Sequence, residues 1–398
     1  MANALLTPTA VTREALRILH EKLNFVGNIN RQYDDSFAKE GAKIGDSLKI
    51  RLPNQYEVRD GATLSTQDTT ETSTTLQVAT QKGVDLNFTS KDLTTDLDDF
   101  SKRILDPAMS VLAANIEADA FSMYKDVWNS VGTVGTTPAG LTPFLDGRTK
   151  LNKALAPKDS QRCAIINSEA SAATVDALKG LFHDSKEVAK QYREGAMGKT
   201  AGLMFFENES TPVHTNGTMG GTALVNGASQ TGATIAIDGL SASGTVTAGT
   251  TFTLAGVYAV HPETKESYAH LQQFTVTADA TASTGAIAAL AISPSIITSG
   301  ATQTVSGSPA DNAAITWQGA ASAVIPQNLV FHKDAFTFAT ADLVMPSGVD
   351  FAAREVFDGI SMRIVRAYDI NNDKFPCRLD VLYGYKAIRP EIASRVVG

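Results

Sequence analysis

Cysteine is nearly absent: two residues in 398, Cys163 and Cys377, lie far apart with no second cysteine or nearby histidine at metal-ligand spacing. That excludes a disulfide framework and a zinc site of the usual spacing. Each thiol is expected to be buried and inert, since free cysteine is among the most buried residue types. Basic charge is also short: 34 Lys and Arg against 42 Asp and Glu leave a formal net charge of -8. With no cationic excess to displace counterions from phosphates, nucleic-acid binding by the whole chain is disfavoured. Charged residues make up 19%, below the roughly 25% of soluble domains, so much of the polarity comes from Thr, Ser, Asn and Gly. No run approaches the ~20 apolar residues of a membrane span. The first residues, MANALLTPTAVTREALRIL, lack the basic start and unbroken apolar stretch of a secretory signal. A soluble intracellular product is expected.

Signatures of chemistry are missing as well. The six histidines, His20, His183, His214, His261, His270 and His332, form no HxxxH or HxH pair that would set two ligands on one face. His261-Pro262-Glu263 reads as a solvated turn. The run Gly217-Thr218-Met219-Gly220-Gly221 has no following Lys-Ser/Thr to hold phosphates and is expected to be a linker. No G-x-S-x-G elbow occurs. The cluster Asp92, Asp96, Asp98 and Asp99 lacks the alternating ligands, central glycine and terminal glutamate of a calcium loop. It reads as a charged stretch ahead of a helix. No nucleophile, base and oxyanion set can be assembled, so no catalytic residue, cofactor or metal ligand is predicted.

What is present is architecture. At 398 residues the chain is long enough for two or three units of ~100–200 residues with a substantial core. Thr7-Pro8 followed by Val11, Ala15, Ile18, Leu19, Leu23 and Val26 predicts an amphipathic helix over 8–26, Thr capping and Pro at the first position. Alternation then takes over in Leu48–Leu52, Leu76–Val78 and Val84–Leu86, around a polar segment from Asn54 to Thr74 with no means of building its own core. A long projecting hairpin is expected. Asp106-Pro107 opens the clearest helix, predicted over 107–129 at roughly 35 Å, with Asp106 complementing the helix dipole. A short helix over 148–156, a buried strand Arg162–Ile166 and a helix Ser168–Phe182 make a mixed middle section.

After Thr211 the composition shifts. Lys265 is the sole Lys or Arg up to Val324, and Thr, Ala, Ser and Gly dominate. Short β-prone runs at Thr234–Ile237, Thr251–Leu254, Phe274–Thr277, Thr302–Val305 and Ile315–Trp317 predict an inserted all-β sandwich or barrel. Ordinary charge density returns with strands expected at Asn328–Phe331, Phe336–Ala339, Ser361–Ala367 and Arg378–Tyr383. The β unit therefore interrupts an α+β domain.

This order of elements resembles the Hong Kong 97-type capsid fold. Within that fold the sequence is similar to the coat-protein family of the short-tailed, lambda-like Salmonella phage. Tyr383-Gly384-Tyr385-Lys386-Ala387-Ile388-Arg389-Pro390-Glu391 resembles that family's YG-x-x-A-x-RPE ending. Gln191–Gly195 with Ala201-Gly202 and Phe205–Glu207 resembles its approach to the insertion. Leu254–Val260 and Leu271–Val276 look like strands of the inserted barrel, and Asn328–Ala335 matches the re-entry. Departures lie near Thr215–Gln230 and at the hairpin tip.

The resemblance implies an N-terminal arm at 1–46, an extended loop at 47–88 and a peripheral domain with its spine helix at 89–147. An axial domain begins at 148–210, a β-barrel is inserted at 211–326, and peripheral and axial strands close the chain at 327–398. It further implies a major capsid protein assembling with itself as hexamers and pentamers of an icosahedral shell. Such a shell encloses double-stranded DNA without sequence-specific binding, with a scaffolding protein and a portal as partners, in the virion and, during assembly, the host cytoplasm. Arg51, Glu57, Arg59 and Asp60 on the hairpin, charges without an evident local core, are the expected intersubunit contacts. A cellular encapsulin-like shell protein would share the fold without the insertion. A β-rich surface adhesin would call for a secretion signal or repeated β units, and an enzyme for a catalytic set.

Overall fold

The computed structural model describes residues 8–31, 47–59, 61–64, 66–68, 72–89, 105–178, 198–357 and 359–398. The chain divides into two units. The first comprises Met1–Arg51, Ser73–Phe121 and Phe336–Ile388, and the second Leu52–Thr72, Ser122–Ala335 and Arg389–Gly398. The α+β class expected from the sequence is what the chain adopts.

In the first unit, helix Pro8–Lys22 turns Ala15, Leu16, Ile18 and Leu19 inward, packing on helix Asp106–Phe121 and on strands Phe351–Phe357 and Ile360–Arg366. The predicted single helix over 8–26 is instead two, because a short second helix begins at Phe25. The buried carboxylate of Glu117 accepts the N–H groups of Phe25 at 3.1 Å and Val26 at 3.0 Å. Those are donors that a helix start leaves without intrahelical partners. Phe25 stacks on Phe121 with ring centroids 4.4 Å apart.

Helix Asp106–Phe121 is shorter than predicted, about 24 Å at 1.5 Å per residue. It passes into a 3-10 turn, Ser122–Asp126, and the carbonyls of Lys125 and Val127 at and beyond its end are taken by other partners, described below. Asp106 carries an ion pair with Lys22 at 2.8 Å. The sheet of this unit is antiparallel, in the order Phe336–Ala341, Lys374–Ala387, Ile360–Arg366, Phe351–Phe357. Thr80–Thr89 also runs along the long strand, from Lys374↔Thr89 to Tyr383↔Thr80. The hairpin base pairs Ser47–Arg51 with Ser73–Gln77. It sets Ile50, Leu76 and Val78 on Ala339, Ala341, Leu343 and Leu382. Gly384 makes that seat possible: a Cβ there would overlap the carbonyl oxygen of Gln77. Its neighbour Tyr383, fully buried, donates to Asp119 Oδ2 at 2.5 Å, and Lys82 pairs with the same oxygen at 2.7 Å.

The second unit is built on a sheet ordered Ser130–Gly132, Ala393–Val397, Val324–His332, Arg162–Ile166, Leu203–Glu207, Lys199–Thr200, with Val213–Thr215 joined to the start of the third. Arg162–Ile166 is buried at every position, as its apolar run predicts. Helix Thr142–Lys153, placed earlier than the expected 148–156, packs on Ala393–Val397 and Val324–His332. Helix Ser168–Leu178 follows the buried strand. The last predicted residues of that helix, the Gln191–Gly195 motif, His183 and the Asp92–Asp99 cluster lie outside the described residues.

Within this unit, residues 221–317 form a six-stranded antiparallel sheet ordered Ile315–Trp317, Thr251–Val260, Ser267–Val276, Ile287–Ile296, Gly232–Leu240, Gly221–Val225. Its two end strands are linked by the bridge Leu224↔Ala314. Val225 N–H donates to the Ala313 carbonyl at 3.0 Å, and Asn312 N–H to the Val225 carbonyl at 2.9 Å. Phe252, Phe274, Ile235, Ile237, Leu290 and Val305 fill the interior. Thr302–Val305, expected as a strand, makes only the bridge Ala259↔Val305. Thr304 instead closes a loop, its hydroxyl donating to the Ser295 carbonyl at 2.6 Å and its N–H to that of Ile297 at 3.0 Å. The glycine-rich run at 217–221 is a close approach of backbones, since a Cβ on Gly217 would overlap the Thr245 carbonyl oxygen.

This sheet is tied to the rest of its unit by Gln273, which exchanges hydrogen bonds with the Ser130 backbone, and by a buried cation. Arg395, on the closing strand, is 1% exposed and donates through Nε to the Val127 carbonyl at 2.7 Å and through Nη1 to that of Gly249 at 2.5 Å. Nη2 reaches Thr275 Oγ1 at 2.9 Å and the Lys125 carbonyl at 3.3 Å, and the guanidinium lies 5.3 Å from the Tyr124 ring centroid. Burial pulls its pKa down to about 10, so it stays charged at neutral pH, with Tyr124 and Asp126 acting to raise it. Tyr124 shares a hydrogen bond of 3.0 Å with His214 Nδ1, and His214 Nε2 meets Thr250 Oγ1 at 3.2 Å. Burial, and then the charges of Arg395 and Lys125, lower the imidazole to about 4, with an opposing bond to Asn216.

Candidate assembly surface

Among its described residues, the hairpin beyond its base has no buried side chain. Past Arg51, Leu52 N–H donates to the Thr72 carbonyl at 2.9 Å. Within the loop, Gln67 clamps Glu57 from both sides: Glu57 N–H donates to Gln67 Oε1 at 2.9 Å, and Gln67 Nε2 donates to the Glu57 carbonyl at 2.7 Å. The clamp fixes the backbone, so the Glu57 side chain is presented at the surface.

The predicted contact residues separate under this geometry. Arg51 ends the first strand opposite Ser73 and is exposed, as is Glu57. Arg59 is also exposed, but its guanidinium turns back to donate to the carbonyls of Gly61 and, at 3.1 Å, Thr63. It therefore shapes the tip. Asp60 lies outside the described residues.

Charge-based reasoning passed over three apolar side chains on the same loop. Tyr56 is 57% exposed, Val58 92% and Leu64 80%. Single exposed apolar residues need no explanation, but three within nine residues of one loop offer apolar area that would gain by being covered. The signal was available in the sequence as Tyr56 and Val58 at alternating positions in an otherwise polar stretch.

Elsewhere the polar clusters serve the fold. His332 is buried against Asp159, its Nε2 3.1 Å from Oδ1. Cys163 is buried and Cys377 partly so, and burial raises both thiols to about 11, which makes them poor nucleophiles. Among the described residues no group of three or more His, Cys, Asp and Glu is arranged to hold a metal ion. Among them, too, no helix is long and apolar enough to cross a membrane.

The second unit thus carries a six-stranded sheet with its own apolar interior, and the loop of residues 52–72 leaves Tyr56, Val58 and Leu64 exposed. The family model described as P22 coat protein, gene protein 5, matches residues 26–398, and the chain belongs to that family. It is a major capsid protein, a structural subunit that assembles with itself into the shell of a bacteriophage virion. No curated protein matches the chain. Similar solved structures include Mycobacterium phage Che8, at 12% identity and TM-score 0.47, covering 94% of this chain and 90% of that one. The capsid of the Cyanophage P-SCSP1u is similar at 10% identity and TM-score 0.44, covering 94% and 91%. The mature capsid of bacteriophage PhiM1 is similar at 10% identity and TM-score 0.44, covering 94% and 86%.

Proposed function

We propose that this subunit builds an icosahedral shell of hexamers and pentamers around the double-stranded DNA of a tailed phage, in the Hong Kong 97-type manner, with the hairpin of residues 47–88 strapping it to a neighbour. The observation that carries this reading is the hairpin tip, which leaves Tyr56, Val58 and Leu64 uncovered in a chain belonging to a coat-protein family. Closed assemblies repeat one interface under symmetry, and many weak contacts held together give avidity without a strong pairwise interface. The subunit acts structurally and without catalysis, with a scaffolding protein and a portal as assembly partners in the host cytoplasm. A net charge of -8 suits a wall that encloses DNA without adhering to it.

Negative-stain electron microscopy of the purified protein, with and without a co-expressed scaffolding candidate, tests the shell. Closed or partial shells are expected, and a small monodisperse oligomer under every condition would sink the proposal. Deleting residues 57–72 tests the strap: a folded subunit that forms no shells is expected, whereas normal shells would remove the hairpin from assembly.

The insertion, residues 211–326, is proposed to be an independently folding β-barrel domain that stabilises the subunit and decorates the outer face. The bonds joining its end strands and its own apolar interior support this reading. Expressed alone it should give a β-type circular dichroism spectrum, and a random-coil spectrum would count against it.

A further inference from the structure

One cation of the inserted sheet stands out by rarity. Lys265 is the sole Lys or Arg between Thr211 and Val324. It is half-buried at a turn of the inserted sheet, where its N–H donates to the His261 carbonyl at 3.0 Å. Burial draws its ammonium below the ordinary lysine range, and the charge acting against that is Glu57, from the hairpin tip. Glu57 Oε1 also lies 3.8 Å from where a Cβ on Gly300 would stand, on an exposed turn of the same sheet. Residues 52–72 group with the unit that holds the insertion, although the strands carrying them, 47–51 and 73–77, group with the other.

We propose that the inserted β sheet is the receiving surface for the hairpin tip, with Glu57 meeting Lys265 beside Gly300, and that in the shell this contact is made between two copies of the chain. The inference rests on the strap reading and names what the strap grips. In one chain the tip reaches its own insertion and still leaves Tyr56, Val58 and Leu64 exposed. A neighbour's insertion presents the same Lys265 and Gly300, so an exchange of tips keeps the charge pairing, the low-cost logic of swapped elements. Glu263 and Glu266 flank Lys265, so the acidic tip has one cationic landing point set among like charges, and a tip out of register meets carboxylates, which specifies position more than it adds affinity.

The test uses full-length chains in three forms, Glu57→Lys, Lys265→Glu and the double variant, with circular dichroism to establish that each subunit is folded. Each single variant should lower the yield of shells by about tenfold, because one weakened contact is repeated throughout the assembly. The double variant should recover it. The decisive arm is a one-to-one mixture of the two single variants. If tips are exchanged, the tip of a Glu57→Lys chain meets the insertion of a Lys265→Glu neighbour with the charges reversed but still opposite, and the mixture assembles although neither component does alone. A mixture that stays defective while the double variant assembles would overturn the exchange by confining the contact to one chain. Single variants that assemble like the parent, or a folded double variant that fails, would overturn the Glu57–Lys265 contact itself. The deletion of residues 57–72 separates the two readings: if it abolishes shells while the charge variants assemble normally, the strap stands and its grip on the insertion falls.

Discussion

Arg395 and the hairpin tip present similar polar groups under opposite conditions. At Arg395 a fully buried guanidinium is enclosed by three carbonyls, a threonine hydroxyl and an aromatic ring. At the tip, Arg59 and Gln67 direct their donors to the loop's own backbone, and Glu57, Tyr56 and Val58 face solvent. Internal joints must be satisfied within the chain, because an unpaired buried polar group costs more than the bond it would have made. A surface meant for another copy has the reverse requirement: its backbone must hold shape while its side chains remain available. The two regions therefore predict opposite responses to mutation, stability loss at one and assembly loss at the other.

The largest effect is expected at Arg395. Replacing it with alanine strips donors from the carbonyls of Val127, Gly249 and Lys125 and opens a cavity beneath Tyr124. The cost should be about 3–5 kcal/mol, the scale for removing one member of a buried charged network. Urea denaturation measures it, and hydrogen exchange should show protection lost first along Thr251–Val260 and Ser267–Val276. A loss below ~1 kcal/mol would mean that the sheet is held by its remaining contacts, Gln273 on the Ser130 backbone among them, and the contrast with the tip would fail.

Acid should loosen the same joint by a smaller amount. His214 is held neutral, with a pKa of about 4 against 6.5 unperturbed, by burial and by the facing charges of Arg395 and Lys125. Above about pH 6.5 the imidazole is neutral in both folded and unfolded chains, and stability is full. As pH falls from 6.5 towards 4 the unfolded chain takes up the proton and the folded one resists it, so stability drops. Below about 4 both are protonated and the loss levels off. The difference is about 3 kcal/mol. His270, on the half-buried face beside Lys150 and Lys153, is lowered to about 4 by burial and those two charges and adds to the same window. His214→Asn should flatten the pH dependence of the urea midpoint by His214's share, and an unchanged slope would place the acid sensitivity elsewhere.

Much of the fold is legible locally. Arg162–Ile166 and Ile315–Trp317 fall where their apolar patterns put them, and the hairpin follows from alternation broken by a long polar segment. What local pattern misses is made by distant partners. Ala393–Val397, to which no strand is assigned from the sequence, is a buried strand carrying Arg395, whose acceptors lie at residues 125–127, 249 and 275. Thr80–Thr89 is interrupted by Gly83, where a Cβ would overlap the Leu379 carbonyl oxygen, so the interruption is what admits the partner strand. His214 looks idle until Tyr124 is brought to it across 90 residues. At the tip, exposed Glu57 and Arg51 were legible as charges without a core, whereas the inward turn of Arg59 depends on the conformation of residues 61–63.

The smallest effect on the folded subunit should come from Val58, and that is what makes it informative. At 92% exposure the side chain has almost nothing to lose, so Val58→Ser should shift unfolding by no more than about 0.5 kcal/mol, the usual range for surface substitutions. Val is nevertheless the apolar part of the loop that assembly would cover, and the lost burial recurs at every copy of the interface. Light scattering should therefore show slower assembly and fewer complete shells from a subunit whose urea midpoint matches the parent's. Equal stability with equal assembly would show that the exposed apolar side chains of the tip are incidental and that charge alone directs it. A stability loss above ~1 kcal/mol would instead mean that Val58 itself packs within its own subunit, narrowing the difference between the two regions to one of degree.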